Sequence, residues 1–158
     1  MPAYPTLKNR SVTLAVTGGI AAYKSCELVR LLKKAGADVR VIMTEAAAHF
    51  VTPLTFEALS GHAVGIENLT RDMPHLAATH GACDLMIVAP ATADILGKAA
   101  HGIADNLVST AIIARAAPLA VCPAMNTRMW GNPAVQRSVK VLADDGVMIW
   151  GCLLYTSP

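Results

Sequence analysis

Aromatic residues make up only 4% of the 158-residue chain, so its local signals come from Ala, Val, Leu and Ile and from the glycines and prolines that interrupt them. No apolar run reaches the roughly 18 residues a membrane-crossing helix needs, and no membrane role is expected. Charge of one sign is also lacking. The formal net charge is +2, with Lys and Arg spread along the chain rather than massed, which argues against nucleic acid as a partner. Cys26, Cys83, Cys122 and Cys152 form no C-x-x-C pair. Neither a zinc site nor a disulfide framework is therefore indicated, no metal is expected, and each cysteine reads as a small hydrophobe. Residues 1–10 lack the apolar core of a signal peptide and read as an N-terminal extension, so the expected location is cytoplasmic. Neither G-x-G-x-x-G nor G-x-x-x-x-G-K-[ST] occurs, which removes the usual dinucleotide fingerprint and the P-loop.

What is present starts at residues 11–36. Val12-Thr13-Leu14-Ala15-Val16 mixes β-branched and apolar residues, breaks at Thr17-Gly18-Gly19, and leads through Ile20-Ala21-Ala22-Tyr23-Lys24 into an amphipathic stretch. There Leu28, Leu31, Leu32 and Ala35 recur at helical spacing, opposite Lys24, Glu27, Arg30, Lys33 and Lys34. The pattern predicts a strand, a tight turn and a helix. Such a turn aims backbone N–H groups and the positive end of a helix dipole past the strand, where a phosphate is the expected guest. The plainer alternative is that the glycines only permit a close crossing.

A second strand is predicted at residues 38–43, running at once into Thr44-Glu45-Ala46, where Thr44 is placed like an N-cap. A short helix over residues 53–60 is closed by Gly61, and residues 63–66 read as a weak strand. His75, beside a polar irregular segment, would by itself be an ordinary surface residue. Asp84 to Ala89 is a continuous apolar run of the kind a parallel sheet covered on both faces produces, and it ends at Pro90-Ala91-Thr92-Ala93-Asp94. Helical segments are expected through Lys98 to His101 and from Ala104. A strand at residues 118–122 ends at Pro123-Ala124-Met125-Asn126. A last helix starts at Asn132-Pro133, with Val135, Val139, Leu142 and Ala143 on one face, and residues 147–150 close the sheet. Alternation of strand and helix throughout predicts an α/β fold with a doubly wound parallel sheet in a three-layer, Rossmann-like sandwich. Gly18-Gly19, Thr44, Thr92 with Asp94, and Asn126 then share the rim where such folds bind ligands.

Residues 16–24, Met43-Thr44-Glu45-Ala46-Ala47, Ala89 to Asp94, Ala104-Asp105-Asn106-Leu107-Val108-Ser109-Thr110 and Pro123 to Trp130 closely resemble the flavoprotein domain of the bacterial phosphopantothenoylcysteine decarboxylase family. The resemblance runs from about residue 11 to residue 151, in the same order. It implies an FMN-binding decarboxylase domain of coenzyme A biosynthesis. Thr17, Gly18 and Gly19 would approach the flavin, Thr44 and Phe50 would contact it, Thr92, Ala93 and Asp94 would hold its phosphate or ribityl chain, and Ser109 would complete the pocket. Asn126 would bind the substrate carboxylate, with Met125 and Ala124 shaping that pocket and Asn106 nearby. His75 would be the acid/base group. The segment from His75 to Asp84 is one residue longer than the family pattern, which makes His80 a competing assignment.

A cysteinyl carboxylate lacks an electron sink for the carbanion left when carbon dioxide departs. The resemblance implies that the sink is a thioaldehyde, made by oxidising the thiol-bearing carbon at the expense of FMN; decarboxylation gives an enethiol, which is then reduced. It also implies a homotrimer or homododecamer. Past Gly151 the family continues into a glycine-rich flap with a proton-donating cysteine. Residues 152–158 do not match that flap, so they are expected to be an atypical, truncated or artefactual tail, and the closing reduction is not expected of the sequence as given. The alternatives are a flavin-binding regulatory subunit without catalysis and a flavin prenyltransferase.

Overall fold

The computed structural model describes residues 6–66, 80 and 82–155. Five strands, β1 (Ser11–Val16), β2 (Asp38–Met43), β3 (Leu85–Ala91), β4 (Leu119–Asn126) and β5 (Met148–Ile149), form a parallel sheet in the order β2-β1-β3-β4-β5. A short β6 (Leu153–Tyr155) runs parallel to the end of β4, with Leu153 opposite Ala124 and Tyr155 opposite Asn126. Parallel neighbours need crossovers, which the helices supply. These are α1 (Ala22–Lys34), α2 (Pro53–Ser60), α3 (Ala93–His101), α4 (Leu107–Ala114), α5 (Thr127–Gly131) and α6 (Pro133–Asp144). The doubly wound sheet expected from the sequence is the one observed.

Successive strand residues point to opposite faces, and both faces are buried. Val12, Leu14, Val16, Val41 and Ile87 pack with Val29 of α1 and Phe56 of α2. Ala15, Met86, Val88 and Val121 pack on the other side with Leu96, Val108, Ile112 and Leu142 of α3, α4 and α6. Fully buried Phe56 alone removes enough apolar surface to favour folding by about 2 to 3 kcal/mol.

Three local expectations change. The buried face of α1 is Ala22, Ser25 and Val29, while Leu31 is 54% exposed and Leu28 and Leu32 lie at the edges. Small residues let α1 lie close to the sheet, and the Ser25 hydroxyl donates to the Ala89 carbonyl at 2.6 Å, which fixes the rotation of the helix. The weak strand at 63–66 reduces to a single bridge between Ile42 and Gly65. β4 extends through Pro123 to Asn126 instead of ending at Cys122. The ladder with β3 shifts register between Val88 and Ala91, where a proline can be accommodated.

The rim at the carboxyl ends of the strands is drawn together at Gly18. A Cβ there would lie 2.5 Å from the Ala46 Cβ and 3.0 Å from its carbonyl carbon, whereas one at Gly19 would meet nothing nearer than Thr92 Cγ2 at 3.7 Å. Gly18→Ala is therefore expected to lower stability by about 2 kcal/mol, the usual cost of overpacking, and Gly19→Ala by much less. Thermal denaturation of the two variants reads the difference, and equal melting temperatures would contradict it.

Candidate functional site

The order of strands reverses between β1 and β3, and a cleft of about 410 Å³ opens there at the carboxyl ends of β1, β2 and β3. Such a reversal is where open α/β sheets bind ligands. Of the residues singled out in the sequence, Thr17, Gly18, Thr44, Thr92, Asp94 and Asn106 line it. Glu45, Ala46, Ile95 and Lys98 complete the lining.

Most of the hydroxyls serve the rim's own architecture. Thr17, 2% exposed, donates from Oγ1 to the Pro90 carbonyl at 2.6 Å and accepts the Thr92 N–H at 3.2 Å, joining the ends of β1 and β3. Thr92 N-caps α3 by accepting the Ile95 N–H at 3.3 Å. Thr44 accepts the Ala47 N–H at 3.1 Å and so closes the turn after β2, while the short helical turn Ala47–His49 that follows has Ala46, not Thr44, at its N-cap position. At α4 a reciprocal capping box forms: Asn106 Oδ1 accepts the Ser109 N–H at 2.7 Å, and Ser109 Oγ accepts the Asn106 N–H at 3.0 Å. The amino ends of α3 and α4 therefore face a cleft of hydroxyls and glycine backbone, a donor set suited to an anion with a polyhydroxyl chain.

Four further candidates sit off the lining. Gly19 lies beside Thr92, Ala93 packs against the core, Ser109 is fully buried beneath the Asn106 cap, and Phe50 is 53% exposed beyond the short turn after β2. Lys98 is the cation of the cleft, 3.2 Å from Asp94 Oδ2 and 3.2 Å from Asp105 Oδ1. Burial opposes its charge, but the hydrogen bonds to both carboxylates outweigh that and raise its pKa; the same bond lowers that of Asp105. Lys98 was not selected from the sequence, although its i,i+4 spacing from Asp94 was a usable sign.

A second cavity, about 210 Å³, lies on the α1 side of the same strand ends. Ala124, Pro123 and Cys122 of β4, Pro90 of β3, Lys24 of α1 and Trp150 line it. Ala124 is thus the candidate substrate residue that reaches this cavity. Met125 is 1% exposed in the core, and Asn126 caps α5 by accepting the Met129 N–H at 2.9 Å. Burial pushes the Cys122 thiol up, away from nucleophilic use.

His75 lies outside the described residues. His80 does not line the cleft: it is 7% exposed, its carbonyl accepts the Thr13 hydroxyl at 2.9 Å, and its Nδ1 has no hydrogen-bond partner among the described residues.

A parallel α/β sandwich with a phosphate-type cleft at its strand reversal defines a mononucleotide-binding class of protein. The chain belongs to the Flavoprotein family, which matches residues 2–158. It is 51% identical over 144 residues to the coenzyme A biosynthesis bifunctional protein CoaBC of Bacillus subtilis (strain 168), covering 89% of this chain and 35% of the relative. The CoaBC of Escherichia coli (strain K12) is 49% identical over 150 residues, covering 92% and 37%. The chain thus spans little more than a third of the curated relatives it matches. Among solved structures, the FMN-dependent cysteine decarboxylase SpaF superposes with a TM-score of 0.85 at 32% identity, covering 92% of this chain and 86% of that one. A cysteine-to-serine mutant of PPC decarboxylase complexed with pantothenoylaminoethenethiol gives 0.76 at 29% identity, covering 90% and 82%. Among the described residues no helix is long and apolar enough to cross a membrane.

Burial, and then the charge of Arg40, hold the His80 pKa below its ordinary 6.5. The unfolded chain takes up a proton near that ordinary value that the folded chain refuses. Stability contributed by neutral His80 is therefore present at higher pH and is lost as pH falls below about 6.5. Urea denaturation between about pH 8 and about pH 5 is expected to show a smaller acid loss in His80→Gln than in the parent; parallel profiles would contradict a neutral, buried ring.

Proposed function

We propose that the chain binds FMN in the cleft at the ends of β1, β2 and β3 and carries out FMN-dependent decarboxylation of phosphopantothenoylcysteine, a step of coenzyme A biosynthesis. The observation that carries this is the cleft itself, built at the strand reversal of a Flavoprotein-family chain from glycine backbone, threonine hydroxyls and helix amino ends. Half-identity to the CoaBC proteins supports the particular substrate.

Bound FMN supplies a reversible two-electron acceptor at the thiol-bearing carbon of the substrate. The chain's own residues bind and orient. Gly18 and Gly19 let the backbone approach the cofactor, Thr44, Thr92, Ala93 and Asp94 flank its phosphate and ribityl chain, Thr17 holds Thr92 in place, and Ser109 holds Asn106 on the cleft through the capping box. Phe50 offers an exposed ring to the flavin. Lys24, the charged group of the second cavity, suits the substrate's phosphate, with Ala124 against its chain. Asn126 orients the carboxylate that is lost, with buried Met125 packed behind that pocket and Asn106 on the cleft side, and His75 moves the proton at the thiol. The decarboxylase domain is residues 11–151, assembled as a homotrimer or homododecamer in the cytoplasm; β6, which pairs Leu153–Tyr155 with the end of β4, adds to that domain's sheet instead of lying outside it.

The purified chain is expected to carry or take up FMN, seen in its absorbance spectrum and identified by mass, and to release carbon dioxide from phosphopantothenoylcysteine. A chain that stays colourless in excess FMN would overturn the assignment. Asn126→Asp preserves a good N-cap for α5 but sets a carboxylate against the substrate's own. It is expected to retain fold and FMN while losing decarboxylation by roughly a hundredfold or more, and unimpaired release of carbon dioxide would remove Asn126 from the substrate site.

A further inference from the structure

The two carboxylates that hold Lys98 come from different walls of the cleft. Asp94 belongs to the first turn of α3, and Asp105 precedes the cap of α4. Between them the chain leaves α3 at Gly102, with φ +70, and crosses exposed residues 103–105 before Asn106 turns in to cap α4. Asp105 Oδ1 takes a second hydrogen bond, from Ser109 Oγ at 3.2 Å, and that same Oγ accepts the Asp105 N–H at 3.0 Å. The ammonium of Lys98 is thus wired into the capping box that places Asn106 on the cleft.

We propose that Lys98 is a positioning residue of the FMN cleft: by joining Asp94 to Asp105 it clamps the amino end of α4 against α3 and sets the width of the pocket between them. The proposal rests on the cleft being the FMN site. The Lys98 side chain is 20% exposed and sits between two carboxylates, leaving little of its charge to offer a phosphate directly. Glu45 also lines the cleft, so the local charge does not favour an anion at the lysine. The carboxylates are 71% and 55% exposed, and exposed pairs contribute little to global stability. The clamp therefore acts on local geometry, not on whether the protein folds.

A clamp and a direct phosphate ligand give opposite results at Asp105. If Lys98 acts through Asp105, Asp105→Asn loosens the pocket and weakens FMN. If Lys98 touches the phosphate, Asp105→Asn releases its charge and tightens FMN or leaves it unchanged. FMN dissociation constants, read by quenching of flavin fluorescence at fixed salt, are expected to rise roughly fivefold in both Lys98→Met and Asp105→Asn, with the double variant no worse than either single change. Lys98→Arg, which keeps the charge and reach, should stay within about twofold of the parent. Hydrogen exchange at the Ser109 amide, measured without FMN, should quicken in both single variants while the melting temperature barely moves. An unchanged or tighter Asp105→Asn overturns the clamp. So does unchanged Ser109 protection in Lys98→Met, which decides the matter even if the parent protein takes up no FMN and the proposed function itself fails.

Discussion

The end of β1 has to touch both of its neighbours at once, and the rest of the site depends on that contact. On one side Gly18 lies so near Ala46 that no side chain could stand between them; on the other, the Thr17 hydroxyl bridges the Pro90 carbonyl and the Thr92 amide. A polar atom that is 2% exposed must find partners or cost a few kcal/mol, and Thr17 has a donor and an acceptor in reach. The three strand ends are therefore registered by satisfied hydrogen bonds and close packing. The caps of α3 and α4 and the turn at Thr44 are built outward from that junction.

Charge is arranged around this frame sparingly. The cleft carries Lys98 with Asp94 and Glu45 on its lining, and the attraction for an anion falls to backbone N–H groups and helix ends, fixed dipoles that need no rearrangement when a guest arrives. The second cavity is apolar apart from Lys24 and Ser25, and Ser25 is already committed to the Ala89 carbonyl. One site is thus polar by backbone and hydroxyl, the other apolar with a single charge at its edge.

The sheet was legible because strands buried on both faces leave continuous apolar runs, and β3 at residues 85–91 is such a run. The strand-end motifs were legible too: Thr17, Gly18, Thr44, Thr92 and Asp94 meet in one cleft, where Asn106 from the cap of α4 joins them. What escaped was whatever depends on the distance between elements. Helical period points the apolar face of α1 at Leu31, because period alone cannot tell that Ser25 bonds to Ala89 and brings the small residues inward. Pro123 looked like a strand terminator until the register shift opposite it gave the proline room. The role of Lys98 is not in the sequence pattern, because its second partner, Asp105, lies across a turn whose path no local pattern reveals.

The end of β3 and the cap of α3 that follows it border the two cavities. Pro90 faces the α1 side, while Thr92 faces the cleft, and Thr17 is bonded to each of them. A partition one chain thick cannot yield to a guest on one side without presenting a changed surface to the other. Where a guest shifts that partition, the affinities of the two chambers become linked, and whatever free energy the first guest lends to or takes from the second is returned in equal measure when the order of binding is reversed.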